Sequence, residues 1–203
     1  MITLQTIDSI AALEALYDAP VPASLTKVTT RMTPLYRQWI EASRFLVLST
    51  VGPEGTDGTP RGDDGPVVRV VNDRTLWLPD WRGNNRIDSL RNIVRDGRVS
   101  LMFMVPGSQN VVRVNGRAVL TADTDVIGRF EQRGKHPRTV IVVTVEEMYF
   151  QCAKALMRSG LWSRGDESAQ VPTAGQFIRE QDEAFDGDTY DATYPEQAKA
   201  RMW

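Results

Sequence analysis

Apolar positions along the chain alternate with two different periods, and the change of period marks out most of the elements. RFLVLSTV (44–51), TLWLP (75–79), RVSLMFMVP (98–106), NVVRVNGRAVLTA (110–122) and RTVIVVTVEEMYF (138–150) are short, β-branched and apolar, and predict strands. VVRVV (67–71) joins them, with Asn72-Asp73-Arg74 as the tight turn of a hairpin into 75–79. Asn115-Gly116, inside the fifth strand, marks a bulge or bend. Helical spacing governs other stretches. Ile7, Ile10, Leu13 and Leu16 predict a helix over 7–17. Thr33-Pro34 predicts a helix start running to about Ala42. Ile87, Leu90, Ile93 and Val94 place an amphipathic helix over 85–95. Shorter helices are expected over 124–132 and over 152–160, the latter stopped by Gly160.

Residues 52–66, GPEGTDGTPRGDDGP, are so dense in Gly, Pro and Asp that they predict a loop. The connections are mostly too short for parallel crossovers. Six strands with short helices between them therefore predict a mainly β architecture, an antiparallel barrel with helices at its rim. The organisation expected is an N-terminal helical extension over 1–32, a central unit over 33–163 and an acidic C-terminal extension over 164–203. Seven acidic residues fall between Glu180 and Glu196, and this tail has the composition of a segment that wraps a partner rather than joining a core.

Composition narrows the function classes. The formal net charge of −2 gives no global attraction to nucleic acid or to an anionic membrane. No apolar run approaches the ~20 residues needed to cross a bilayer, and the N-terminus has no basic region followed by a long apolar one. Cys152 is the only cysteine, which excludes an internal disulfide and fits a reducing cytoplasm. On the apolar stretch of its predicted helix it reads as a packed thiol. His136 is the only histidine, and one His with one distant Cys is a poor metal set. No metal site, nucleophile elbow or glycine-rich phosphate loop is expected.

The densest chemistry lies at LPDWRGNNRIDSLRN (78–92), where an apolar strand crosses a polar loop into a helix. Arg82, Asn84, Asn85 and Arg86 crowd that loop. Unpaired amides at a helix start, with arginine forks beside them, suit an anion such as a phosphate. The alternative is a solvated loop whose arginines pair with Asp80 and Asp88. Arg69 stands among valines in PVVRVV, a costly position unless something anionic meets it. Strand alternation also allows it to face water while Val68 and Val70 face the core. Lys154, Arg158 and Trp162 recur every four residues and so share one helix face and its continuation, on which a flat ring could stack.

Four runs stand in a recurrent order: PRGD (60–63), LPDWRGNNRIDSLRNI (78–93), PGSQNVVRVNGRA (106–118) and CAKALMRSGLW (152–162). In number and order they resemble a bacterial subgroup of the pyridoxamine 5′-phosphate oxidase-like, FMN-binding split-barrel proteins, over roughly residues 33–163. The resemblance implies a six-stranded split barrel that forms a homodimer and holds FMN in grooves between subunits. It places Arg69, Arg82, Asn84, Asn85 and Arg86 at the phosphate, with Asp80 in the same motif. It sets Arg61, Gly62 and Asp63 beside the ring, and Val111 and Arg113 on a bordering strand. Trp162 and Lys154 would close the groove from the other subunit. The chain departs from the oxidase proper at Asn72, where that enzyme has lysine, and after Trp162, where SRGDES replaces an arginine- and histidine-bearing substrate segment. The resemblance thus favours FMN-dependent redox chemistry on a small molecule over oxidation of pyridoxamine phosphate. Rival expectations are a flavin sensor or carrier, a split barrel using a deazaflavin or haem, and an interaction module acting through the tail.

Overall fold

Five of the expected strands form as alternation dictates. In the computed structural model, which describes residues 3–203, β1 (Phe45–Gly52) buries Leu46, Leu48 and Thr50 and turns the residues between them outward. The second strand, β2 (Gly55–Gly62), is a correction: the segment expected to be loop pairs with β1 along its whole length, from Phe45↔Gly62 to Gly52↔Gly55. It contains no apolar side chain for burial to select, and it is an edge strand, the one place where Pro60 costs no ladder bond. β3 (Arg69–Val70) is shorter than the expected 67–71 run. β4 (Thr75–Asp80), β5 (Arg98–Met104), β6 (Val111–Thr121) and β7 (Thr139–Gln151) complete a seven-stranded sheet, one more strand than expected. Its order is β2-β1-β5-β6-β7-β4-β3 and every pairing is antiparallel.

The two ends of that order meet. Arg61, on edge strand β2, forms an ion pair of 2.5 Å with Asp80 of β4, near the other edge. Trp81 Nε1 donates to Asp63 just beyond β2, at 2.7 Å. The sheet must therefore coil until its edges face each other, which is the antiparallel split barrel. Inside it Leu48, Leu76, Leu101, Phe103, Val114, Ile141, Val143 and Met148 are fully buried, and Val112 nearly so. Burial of such side chains is the main stabilising contribution, about 1.5–3 kcal/mol each for the larger ones.

The expected irregularity at Asn115-Gly116 is present. The β6–β7 register jumps from Asn115↔Glu147 to Gly116↔Val145, leaving Glu146 as the extra residue. The buried parity of β7 changes across it, from Val143 and Val145 to Met148. A Cβ at Gly116 would stand 2.0 Å from the Thr144 carbonyl oxygen, so only glycine fits.

The helices sit outside. α1 (Ile10–Glu14) and α2 (Pro22–Thr26) bury nothing, and Ile7, Ile10, Leu13 and Leu16 of the expected 7–17 helix are exposed. The N-terminal segment joins the barrel at Thr29, which exchanges backbone hydrogen bonds with Met148, and at buried Met32. α3 (Pro34–Ala42) begins and ends as expected and buries Ile40. α4 (Asp88–Arg95) packs Leu90 and Ile93 on the barrel, α5 (Thr124–Ile127) is shorter than expected, and α6 (Lys154–Ser159) stops before left-handed Gly160. Cys152 precedes α6 and is exposed, not packed in a helix. Trp162 also lies beyond the helix, so it does not share a helical face with Lys154. Residues of the acidic tail form α7 (Ala174–Gln181) and α8 (Gly187–Arg201), which pack on each other.

Candidate functional site

The junction of β4 with α4 forms one side of a cavity of about 750 Å³, and the C-terminal half of β2 forms the facing side. Val67, Leu78 and Leu90 supply its apolar floor. The loop between β4 and α4 is shaped by its own polar groups. Arg86 N donates to Asn84 Oδ1 at 3.1 Å, while Asn85 and Ile87 adopt left-handed φ of 63° and 54°. Such a backbone is unusual for a β-branched residue and is a feature of ligand-binding loops. Ile87 is also the residue before α4, and no side chain caps that helix start, leaving amides available to a ligand.

Charge in this cavity is unevenly matched. Arg61 pairs with Asp80, and both are four-fifths buried. Arg86 pairs with Asp88 at 2.9 Å. Asp57 accepts a hydrogen bond from buried Ser89 at 2.5 Å. Arg82 and Arg138 also line the cavity and make no ion pair among the described residues. Arg61 Nε is buried and has no acceptor among the described residues. Buried donors are almost always satisfied, so an unmet guanidinium N–H beside two free arginines calls for an anionic or acceptor-rich occupant.

The expected site residues separate into groups. Arg61, Gly62, Asp80, Arg82, Asn84, Asn85 and Arg86 line the one cavity. Asp63 lies just behind it, with Oδ2 accepting from Trp81 and Oδ1 from Gln132 Nε2 at 2.8 Å, so it positions Trp81. Arg69 is not with them. It is exposed, as strand alternation with buried Val68 allows, and donates to the Arg129 carbonyl at 3.2 Å. Val111, Arg113, Lys154 and Trp162 collect elsewhere. Val111 pairs with Gln151 at one end of β7, whereas Asp80 pairs with Thr139 at the other, on the order of 40 Å away along the strand. In that second group Arg113 lies over the Tyr149 ring at 5.3 Å, and Trp162 Nε1 donates to the Ser108 carbonyl at 2.8 Å.

Sequence reasoning missed Arg138, Trp81, Asp57 and Ser89 in the cavity wall, and also Tyr194 of the last helix and Met202 just past it. Arg138 carried a signal, since it heads the longest β-rich run of the chain; in the fold its neighbour Thr139 pairs with Asp80. Tyr194 and Met202 carried none. Among the described residues no group of three His, Cys, Asp or Glu could hold a metal ion, and no helix is long and apolar enough to cross a membrane. His136 Nδ1 lies 2.6 Å from the Phe130 carbonyl oxygen, in a local turn.

The sequence profile of the pyridoxamine 5′-phosphate oxidase family matches residues 32–152. Several solved structures are similar to this chain. One is HupZ of Group A Streptococcus, at 20% identity and a TM-score of 0.47, covering 58% of this chain and 91% of that one. A candidate pyridoxamine 5′-phosphate oxidase from Lactobacillus delbrueckii matches at 21% identity and 0.48, covering 60% and 95%. An FMN-binding protein from Syntrophomonas wolfei matches at 15% and 0.43, covering 57% and 88%. No curated protein matches the sequence.

Proposed function

The chain belongs to the pyridoxamine 5′-phosphate oxidase family, and we propose that it binds FMN and acts as an oxidoreductase on a small molecule. The observation that carries this reading is the cavity between β2 and the β4–α4 loop, where Arg82 and Arg138 have no ion pair and Arg61 Nε no acceptor among the described residues. A phosphate and a ring rich in acceptors fit that donor set. Arg82 and Arg86, with the amides at the start of α4, would hold the phosphate. Arg61, kept in place by Asp80, would offer Nε to the ring system. Asn84 and Asn85 would supply further amide donors, and Leu78 and Val67 an apolar surface beneath the ring.

When bound, FMN supplies the electron or hydride chemistry; the protein binds, orients and excludes water. A donor aimed at a ring atom favours added negative charge there, so Arg61 would raise the ease of reduction. Lys154, Arg113 and Trp162 lie too far along β7 to reach this cavity from the same chain. A homodimer in which one protomer's β6–α6 end meets its partner's arginine cavity would unite them, and we assign the groove to that arrangement. The cofactor unit would span 33–163, flanked by the extensions 1–32 and 164–203, in a cytoplasmic protein.

The test is the visible absorption spectrum of protein purified without added cofactor, with any chromophore released by denaturation and identified. Oxidised-flavin bands with FMN released support the reading. A deazaflavin or haem spectrum replaces the cofactor, and a colourless protein that takes up no added FMN overturns it. Bound FMN that no NADH or NADPH reduces would leave binding intact and remove the oxidoreductase.

A further inference from the structure

The two helices of the α7–α8 hairpin are tied to each other by their own contacts. Thr173 and Gln176 form a reciprocal cap at the start of α7. The helices approach so closely at Gly175 and Gly187 that a Cβ on Gly175 would stand 2.2 Å from the Gly187 carbonyl oxygen. Asp191 ties the pair, accepting from Gly175 N at 2.8 Å and from the Thr173 hydroxyl. Arg179 adds an ion pair to Asp188 at 2.6 Å. Apart from these two glycines, neither helix buries a residue.

The second half of α8 and the two residues after it meet the cavity. Tyr194 and Met202 line it, and Trp203 stands edge-on to Trp81, with ring centroids 5.3 Å apart at 80°. Trp81 is itself fixed by Asp63. Between α6 and α7 the chain from Leu161 to Thr173 is exposed except at Trp162, with one short turn at Ser168–Gln170. Gly160 and Gly165 there have φ of 66° and 79°. A self-contained unit on an exposed tether, touching the barrel at the mouth of a pocket, has the construction of a lid.

We propose that the α7–α8 hairpin is that lid: it moves on the 160–173 tether and shuts the cavity by docking Trp203 against Trp81, with Tyr194 and Met202 as the wall over the occupant. Closure removes water from the cavity and strengthens every charge interaction inside it. The flavin reading enters only through FMN as the probe. Full-length wild type, Trp203→Ala and Trp203→Phe are compared by hydrogen exchange of the Trp81 indole N–H, which donates to Asp63, and by the rate of FMN release. In Trp203→Ala the Trp81 indole N–H loses protection and FMN leaves about two- to tenfold faster, the range an edge-to-face aromatic pair supports. Trp203→Phe keeps the edge contact and restores both. Unchanged exchange in Trp203→Ala overturns the lid, whatever FMN does. Faster exchange in a protein that binds no FMN upholds the lid and removes the flavin reading instead.

Discussion

The two groups of candidate residues differ in how they are held. At the Arg61–Arg86 end, side chains from opposite edges of the sheet lock together, so that the contacts which close the barrel also build the cavity. Asp80 and Asp63 serve both purposes. At the Arg113–Trp162 end, the contacts are a cation over a half-buried ring and one hydrogen bond to a loop carbonyl. A barrel closure makes a rigid pocket as a by-product, whereas a surface cluster becomes a site only when a second surface arrives.

The sharpest way to break this comparison is to open the closure. Asp80→Ala leaves Arg61 largely buried and unpaired. It is expected to cost about 2–4 kcal/mol in urea unfolding, at or below the lower end of the range for severed buried pairs because about a fifth of each side chain is exposed, and to abolish FMN retention. A stable Asp80→Ala protein with full flavin content would show that closure and site are independent. Next comes the unpaired charge: Arg82→Ala is expected to weaken FMN binding about ten- to a hundredfold by titration, as one charge-assisted contact warrants, with an unchanged urea midpoint. A lost midpoint would mean that Arg82 is structural. Smaller again, Trp162→Ala is expected to change stability by about 1 kcal/mol or less, yet to weaken FMN binding severalfold if the partner's cluster completes the groove. Sedimentation of the wild type as a monomer at micromolar concentration would remove that partner.

The smallest effect lies outside both groups. Hydrogen bonds from Arg98 lower the Asp96 pKa from 3.8 to about 2. A folded-state pKa below the unfolded value contributes stability above about 3.8 that is lost as pH falls toward 2. Asp96→Asn should therefore flatten that part of the acid-unfolding curve and leave FMN binding at neutral pH alone. A curve identical to wild type would show that the exposed pair is fully screened.

Legibility followed burial. β1 and β4–β7 each hide alternate apolar side chains, and that period is written in the chain. The same holds for the Asn115-Gly116 bulge, where the backbone approach demands glycine. β2 was illegible because an edge strand needs only backbone partners, and GTDGTPRG has nothing to alternate. The crowding of Arg82, Asn84, Asn85 and Arg86 in one loop was readable from residue type, and the structure places all four on the cavity wall. The direction of Arg69 was undecided in the sequence, since alternation allowed it to face core or water, and the fold turns it outward.

The amino-acid order by itself determined which segments must be buried, where chain reversals fall and which loop is rich in anion-binding groups, since these depend on interactions within a few residues. The tertiary structure alone decided that Arg61 meets Asp80 nineteen residues away, that Arg69 stands outside the cavity, and that Tyr194 of the last helix and Met202 just past it line the cavity while Trp203 meets Trp81. Those contacts arise from the coiling of a sheet and the direction of an exposed tether, and such long-range geometry leaves no periodic trace in the residues it joins.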